Sequence, residues 1–584
     1  MSGQASQHEA GPARGRRRQT TRPDVLSPVI EQMLAGATLV DCLARQQRAP
    51  EETAYCVESL DQPPLVVTWA SFMQQAASAA TGLQQLGVGH RGRVMIILPT
   101  GADFLNAFWG TLLASATPVP AYPPVGLAQL PTFADKLAGM AEMVGARVAV
   151  VPEALRAVLA PGGQGRVGDL TLVTPEEIMA VAGRRDAVTP PPPVADDLGL
   201  VQFSSGSTGD PRAICLTHGN LLSNIRAFLA RIGMRPGDVC VSWLPLYHDM
   251  GLIGSMIGTI LSGTRLVLIS PLDFLRRPLF WLQVMSRHGA TLSVAPQFAF
   301  NLCARKVRSA DLMGVDLSPL RVLLNGAEPV QAAGVAAFRA RFRAAGLHSG
   351  VVIPCYGLAE GTLAVTMRRP GQRLRRASLP EAGGAIVCVG PPMNETEVRI
   401  RDQQGAWESD GSIGEICLRG PSACAGYLSA GGRQPSVDAD GWLSTGDLGF
   451  LDRGELFVTG RLKDLVIIGG RNFYPQDLES VAGEVPGLRP GRAVAFGVTD
   501  AQLATQALVV VAETLDHATA GAAATALRRR LLERFGVTPQ DIVLVPRGSL
   551  PLTTSGKLRR VQTRIEYERG AFPDAVYRAR STGA

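Results

Sequence analysis

Hydroxyl side chains crowd around two glycines in Ser204-Ser205-Gly206-Ser207-Thr208-Gly209, directly after an apolar run, Leu198–Phe203, that reads as a strand. Backbone N–H groups and hydroxyls on such a turn can surround a phosphate, although the same residues also make an ordinary Ser/Gly-rich turn. The loop lacks the Gly-Lys-Ser/Thr ending of a Walker loop. Leu244–Gly251 sets His248 beside Asp249 ahead of an apolar, glycine-containing stretch; a histidine there can line the mouth of a pocket or serve as a structural hydrogen-bonding group. Asn325-Gly326-Ala327-Glu328-Pro329 and Tyr356-Gly357-Leu358-Ala359-Glu360 each follow an apolar run with a turn, at the strand ends where parallel α/β sheets hold ligands. Tight turns alone would also account for their glycines. Further on come Ser444–Gly449 with Asp447, Gly460–Asp464 with Arg461 and Lys463, and Leu550–Lys557. An aspartate in a turn can accept from sugar hydroxyls, and a lysine on a glycine-containing loop can reach a phosphate.

These residues need a scaffold, and its outline is legible. Between about residues 65 and 355, short Val/Ile/Leu runs alternate with helical-period stretches: Val94–Leu98, Val148–Val151, Arg265–Ile269, Thr291–Val294, Arg321–Leu324 and Val351–Pro354. That alternation predicts an α/β class with largely parallel strands. Thr189–Pro193 cannot continue a helix or a central strand and reads as a stiff connector. After residue 385, shorter strands bounded by turns (Glu397–Arg401, Gly414–Arg419, Glu455–Thr459) predict a small, more antiparallel β unit. From about 460, the runs Leu465–Ile468, Arg492–Phe496, Ala507–Val511 and Ile542–Val545 with a helical pattern over Ala523–Phe535 predict a small α+β domain. The expected division is therefore 1–30 as a polar basic tail, 31–460 as a large N-terminal domain and 461–584 as a small C-terminal one, hinged near Gly460–Asp464.

Composition excludes several classes. With 584 residues, 46% hydrophobic, 64 glycines and 41 prolines, the chain has enough apolar material for several packed units and is neither disordered nor fibrous. A net charge of +7 with 18% charged residues is too dilute for a dedicated nucleic-acid surface. The basic run Arg14–Arg18 has no apolar stretch behind it and reads as a solvated tail rather than a secretion signal. Phe104–Thr117 and Gly251–Thr264 are shorter than the ~18–20 residues that span a bilayer. Nine cysteines without a Cys-x-x-Cys pair are expected to be reduced and mostly buried, as in a cytoplasmic protein.

The ordered set of motifs resembles the adenylate-forming superfamily over about residues 35–570. Within it, Leu244–Gly254 (LPLYHDMGLIG), Pro118–Pro124 (PVPAYPP), Phe274–Trp281 (FLRRPLFW), Ala295–Phe300 (APQFAF), Asn325–Val330 (NGAEPV), Tyr356–Leu363 (YGLAEGTL) and Asn472–Glu479 (NFYPQDLE) are similar to fatty acyl-AMP ligases. The resemblance implies a large adenylate-forming domain with a small mobile C-terminal domain. It also implies ATP and Mg²⁺ as cofactors, a fatty acid as substrate, and transfer of the acyl group to the phosphopantetheine thiol of a separate acyl carrier protein. It places the ATP phosphates on Ser204, Ser205, Gly206, Ser207, Thr208 and Gly209, and adenine against Gly326, Ala327, Glu328, Pro329, Tyr356 and Gly357. It assigns Mg²⁺ to Glu360, the ribose to Asp447 with Arg461 nearby, the hinge to Lys463, the reacting carboxylate and α-phosphate to Lys557, and the acyl-side wall to His248.

Three departures accompany the resemblance. Pro211-Arg212-Ala213 stands where Pro-Lys-Gly is usual, Gln297 replaces a common asparagine, and the segment from Leu363 to Val387 is shorter than the insertion that disfavours coenzyme A in these ligases. That segment carries Arg368, Arg369, Arg373, Arg375 and Arg376, read either as a solvated loop or as a contact for an acidic carrier protein. The shortening favours an acyl-CoA ligase as the rival reading, and Arg212 with Ala213 would suit a non-catalytic nucleotide- or acyl-binding relative.

Overall fold

The computed structural model describes residues 24–580 except 47, 125–129, 161–164, 181–189, 205–211, 379–384, 430, 469–470, 501–504 and 553–556. An eight-stranded sheet runs in the order Ala364–Met367, Val352–Gly357, Val322–Asn325, Leu292–Ala295, Val239–Ser242, Arg265–Ile269, Thr53–Glu58, Leu65–Thr68. Its inner six strands are parallel and both edge strands antiparallel. A second sheet joins Thr117–Pro120, Arg93–Ile96, Val148–Val150 and Leu170–Val173 in parallel, with Arg166–Val167 antiparallel at the edge. The expected α/β class is thus what forms. The central strands are continuous apolar runs because helices cover both faces; Leu266, Val267, Leu268 and Ile269 are all fully buried.

The crossover helices start and stop where local chemistry dictates. His218–Ile232 opens on a reciprocal cap in which Asn220 N–H donates to Thr217 Oγ1 at 3.1 Å and Thr217 N–H to Asn220 Oδ1 at 3.0 Å, and Gly233 ends it at φ +61°. Pro278–His288 starts on its proline and ends on Gly289 at φ +59°. Leu198–Ser204 does not join the parallel sheets. It pairs antiparallel with Arg212–Thr217, bringing Ser204 opposite Arg212.

The β unit is a six-stranded antiparallel sheet in the order Arg376–Ser378, Ala385–Gly390, Glu455–Arg461, Leu443–Asp452, Gly414–Arg419, Glu397–Arg401. Beyond it, a 3₁₀ turn at Leu462–Asp464 leads into a short hairpin, Val466–Ile468 with Arg471–Phe473, then helix Pro475–Gly483. A final sheet of Leu488–Asp500, Thr505–Thr514, Asp541–Val545 and Tyr577–Arg580 packs on helix Ala520–Phe535. Among the described residues, the apolar cluster of Val466, Leu478, Val481, Val510, Leu527, Leu531 and Ile542 contains no residue before Val466.

Candidate functional site

The turn after Val322–Asn325 is held from below by Gln297. Its Oε1 accepts from Asn325 Nδ2 at 2.8 Å and from Gln331 N–H at 3.0 Å, so one buried amide ties both ends of Gly326–Pro329. Ala327 sits at φ +63°, a conformation that costs a non-glycine residue and persists only where the surroundings enforce it. Glu328 accepts from Phe298 N–H at 2.8 Å through Oε2. A β-carbon on Gly326 would lie 2.7 Å from Cys355 Sγ, and one on Gly357 1.7 Å from the Leu363 carbonyl oxygen; the two turns approach their neighbours too closely for any side chain.

Tyr356, on the adjacent strand, donates its hydroxyl to Asp447 Oδ2 at 2.7 Å, and Arg461 Nε donates to Asp447 Oδ1 at 3.1 Å. Asp447 and Arg461 are register partners on Leu443–Asp452 and Glu455–Arg461, so the sheet itself brings the ion pair together. Thr445 Oγ1 accepts from Asp447 N–H at 3.1 Å and donates to the Ile416 carbonyl at 2.7 Å. Burial raises the Asp447 carboxyl above its usual range, against the pull of Arg461 and Tyr356. Burial, and then the Asp447 charge, likewise lift the Tyr356 phenol well above its ordinary value.

His248 Nδ1 lies 2.6 Å from Asp249 Oδ1. Asp249 also accepts from Met250 N–H at 2.7 Å and caps a buried π-helix, Met250–Ile257, that continues as Gly258–Leu261. Burial works to raise the Asp249 carboxyl, but His248 and Lys557 outweigh it and hold it below its ordinary value. Glu360, on the one-turn helix Ala359–Gly361, is raised by burial, with Asp249 and Asp447 adding to the effect. Lys557 enters this acidic group from the C-terminal unit. Its burial pushes the ammonium pKa down while Glu328 and Asp249 pull it up.

A lysine under the influence of the Glu328, Asp249 and Asp447 charges, with the two turns and the Tyr356–Asp447–Arg461 chain, is an arrangement that can bind and neutralise a polyanion. Comparison with known proteins identifies the class. The model of the AMP-binding enzyme family matches residues 43–428. The chain belongs to that family. The long-chain-fatty-acid–AMP ligase FadD26 of Mycobacterium marinum is 32% identical, over 90% of this chain and 96% of its own length. A protein of Mycobacterium leprae named fatty-acid–CoA ligase fadD21 is also 32% identical, over 87% of this chain and 93% of its own. A solved fatty acyl-adenylate ligase, from work on the E. coli and L. pneumophila proteins, superposes with a TM-score of 0.84 at 32% identity, covering 92% of this chain and 99% of that one. This AMP-binding protein is an enzyme of the ligase type with the adenylate-forming fold.

Of the residues singled out in its sequence, the AMP-binding enzyme brings Gly326–Pro329, Tyr356, Gly357, Glu360, Asp447, Arg461, His248 and Lys557 into one region. Ser205, Gly206, Ser207, Thr208 and Gly209 lie outside the described residues, and of Ser204 only the backbone pairing with Arg212 is described. Lys463 lies in the 3₁₀ turn Leu462–Asp464. The Arg212 guanidinium lies 5.6 Å from the centre of the Tyr427 ring.

The solvated-loop reading of the basic segment suits Arg373 and Arg376 but not Arg368, Arg369 and Arg375. Ala364–Met367 and Arg376–Ser378 are strands, Arg375 pairs with Glu455 at 2.7 Å and with Asp452, Arg369 pairs with Asp24 at 2.8 Å, and Arg368 is buried 3.6 Å from Glu455. Arg373 and Arg376 are the exposed pair. Sequence reasoning named Asp249 only as the neighbour of His248, and gave no role to Thr445 or to the clamp made by Gln297. For Asp249 a signal was present, an aspartate immediately before an apolar helical stretch being an N-cap pattern. All nine cysteines are free thiols, eight of them buried and Cys355 half-buried. Among the described residues, no helix is long and apolar enough to cross a membrane.

Proposed function

We propose that this protein activates a fatty acid with ATP to an acyl-adenylate and passes the acyl group to the phosphopantetheine thiol of a separate carrier protein in the cytoplasm. The observation that supports it most is that the charges of Glu328, Asp249 and Asp447 act on Lys557, a lysine of the C-terminal unit, while Tyr356 and Arg461 converge on Asp447. In the first step a carboxylate oxygen attacks the α-phosphorus. The O–Pα bond to acyl forms as the Pα–O bond to pyrophosphate breaks, and no acid–base dyad is needed. Two anions meet in that step, so the barrier is lowered by positive charge fixed where negative charge develops. Lys557 supplies that charge to the carboxylate and α-phosphate. Gly326–Pro329, Tyr356 and Gly357 enclose adenine, Asp447 with Arg461 holds the ribose hydroxyls, Ser204–Gly209 takes the phosphates, and His248 lines the acyl side.

The residues fit Mg²⁺. Glu360 is half-buried and its carboxyl is raised, with the like charges of Asp249 and Asp447 adding to the shift, a situation that a divalent cation reverses. Bound there, the ion would offset phosphate charge.

In the second step the sulfur of the deprotonated thiol forms the C–S bond to the acyl carbon as the C–O bond to AMP breaks. A lysine at the carboxylate and α-phosphate closes the thiol's path, so on this reading the small C-terminal domain turns about Lys463 between steps. The small apolar core that begins at Val466 supports movement as one body.

Acyl-CoA synthesis is the second reading. Of the five arginines between residues 363 and 387, Arg368, Arg369 and Arg375 are engaged by Glu455, Asp24 and Asp452 within the chain, which leaves those three unavailable as a brace against coenzyme A. Supplying holo-carrier protein and coenzyme A in parallel to enzyme loaded with acyl-AMP decides the acceptor. Consumption by the carrier alone supports the proposal, and efficient acyl-CoA formation establishes the rival.

A further inference from the structure

Arg560 lies three residues after Lys557 and opens the helix Arg560–Glu568. Its guanidinium grips Glu479 with two parallel bonds, Nε to Oε1 at 2.9 Å and Nη2 to Oε2 at 3.0 Å. Its remaining nitrogen, Nη1, pairs with Asp464 in the 3₁₀ turn. All three side chains are largely buried, at 17%, 15% and 10% exposure for Arg560, Glu479 and Asp464. Glu479 is itself fixed, since its Oε1 also accepts from Ala495 N–H at 3.0 Å on strand Leu488–Asp500. At the base of the loop, Arg559 N–H donates to the Pro551 carbonyl at 3.0 Å, and Leu552 bridges Leu558. The residues on either side of this stretch, Pro551 and Leu552 on one and Leu558 and Arg559 on the other, are thus held together, and Arg560 next to them is anchored both to the C-terminal core and to the residue that follows Lys463.

We infer that Arg560 is a positioning residue which ties the Lys557 loop to the hinge at Asp464, so that the setting of the hinge fixes the place of the lysine. A planar fork with three occupied donors leaves little rotational freedom. A change at Lys463 is therefore carried to Lys557 through Asp464 and Arg560 rather than lost in loop motion. The inference rests on the proposed roles of Lys557 and Lys463. It goes beyond them in assigning a task to Arg560, Asp464 and Glu479, whose partners here are one another and Ala495.

The test is a double-mutant cycle on the full chain, with acyl-AMP formation and consumption of supplied acyl-AMP by coenzyme A and by holo-carrier protein measured separately. Asp464→Asn keeps the shape and removes the charge. It is expected to slow acyl-AMP formation roughly ten-fold, within the range for groups coupled in one network, to leave consumption of supplied acyl-AMP unchanged, and to cost nothing further when Lys557→Ala is already present. Arg560→Lys keeps the charge but cannot hold both carboxylates, and should give the same split should Asp464→Asn fold poorly. Equal loss in both half-reactions, or a full additional loss in the Lys557→Ala background, overturns the inference and leaves a purely structural ion pair. Undiminished adenylation by Lys557→Ala alone would instead remove the reading beneath it, and the inference with it.

Discussion

Tyr356 donates its hydroxyl to Asp447 Oδ2 at 2.7 Å while Arg461 holds the other carboxylate oxygen at 3.1 Å, so an aromatic face and an acceptor are fixed at one edge of the site by a single chain of bonds. If these groups hold adenine and ribose, Asp447→Asn raises the KM for ATP by about ten-fold, equivalent to about 1.4 kcal/mol, and leaves the KM for the fatty acid unchanged. Tyr356→Phe, which removes one hydrogen bond worth about 0.5–1.5 kcal/mol, has a smaller effect in the same direction. Steady-state kinetics with each substrate varied in turn checks both.

Lys557→Ala should lower acyl-AMP formation by roughly 10²–10³, the scale of losing one preorganised donor at a developing charge. Burial depresses the Lys557 pKa, so the ammonium is lost as pH rises through a value below that of an ordinary lysine. The alkaline limb of the adenylation rate should therefore begin below the ~10.4 of a free lysine. In Lys557→Arg that limb should disappear, which the pH dependence of kcat/KM, a property of the free enzyme, reads directly.

Replacing Gln297 with leucine removes the acceptor shared by Asn325 and Gln331 and leaves fully buried Asn325 without that partner. A loss of about 1–3 kcal/mol in unfolding free energy is expected, measured by urea denaturation, together with a raised KM for ATP because the turn at Ala327 is no longer enforced. Gln297→Asn, one methylene shorter, should recover part of neither bond unless the helix Gln297–Lys306 shifts.

His218 is 2% exposed. Its Nδ1 accepts from Leu39 N–H at 3.2 Å, and burial lowers its pKa to about 4. The unfolded chain takes up a proton near pH 6.5, whereas the folded one does so only near 4. The fold therefore loses stability as pH falls through that window, by up to about 1.4 kcal/mol per pH unit, with the full contribution present above 6.5. His218→Asn should flatten this slope in melting temperatures recorded from pH 7 to 4.5, whatever it does to stability at pH 7.

How much of this was legible depended on how local the cause was. Glu397–Arg401 and Gly414–Arg419 form over the residues read from sequence, because Val398 and Ile400 face the core while Arg399 between them faces water, a period of two that any half-buried strand displays. Arg265–Ile269 was legible as an apolar run too short for a helix. Met250–Ile257 was not, since a segment buried on all sides carries no periodicity, and its π geometry has no composition of its own. The site divides in the same way. Its turns showed in their glycines and prolines, but Asp447 opposite Arg461 depends on strand register. The charge around Lys557 depends on where a distant unit packs, and the fate of Arg375 on Asp452 and Glu455, far along the chain.

The central claim is that a fatty acid and ATP become acyl-AMP on this protein. The most direct measurement incubates the purified chain with ATP, Mg²⁺ and a ladder of fatty acids, without any thiol, and follows acyl-AMP and pyrophosphate by mass. The account predicts that both products appear together, only when acid and ATP are present, and that Lys557→Ala nearly abolishes them. ATP cleavage that is independent of acid, or no acyl-AMP with any acid of the ladder, would contradict it.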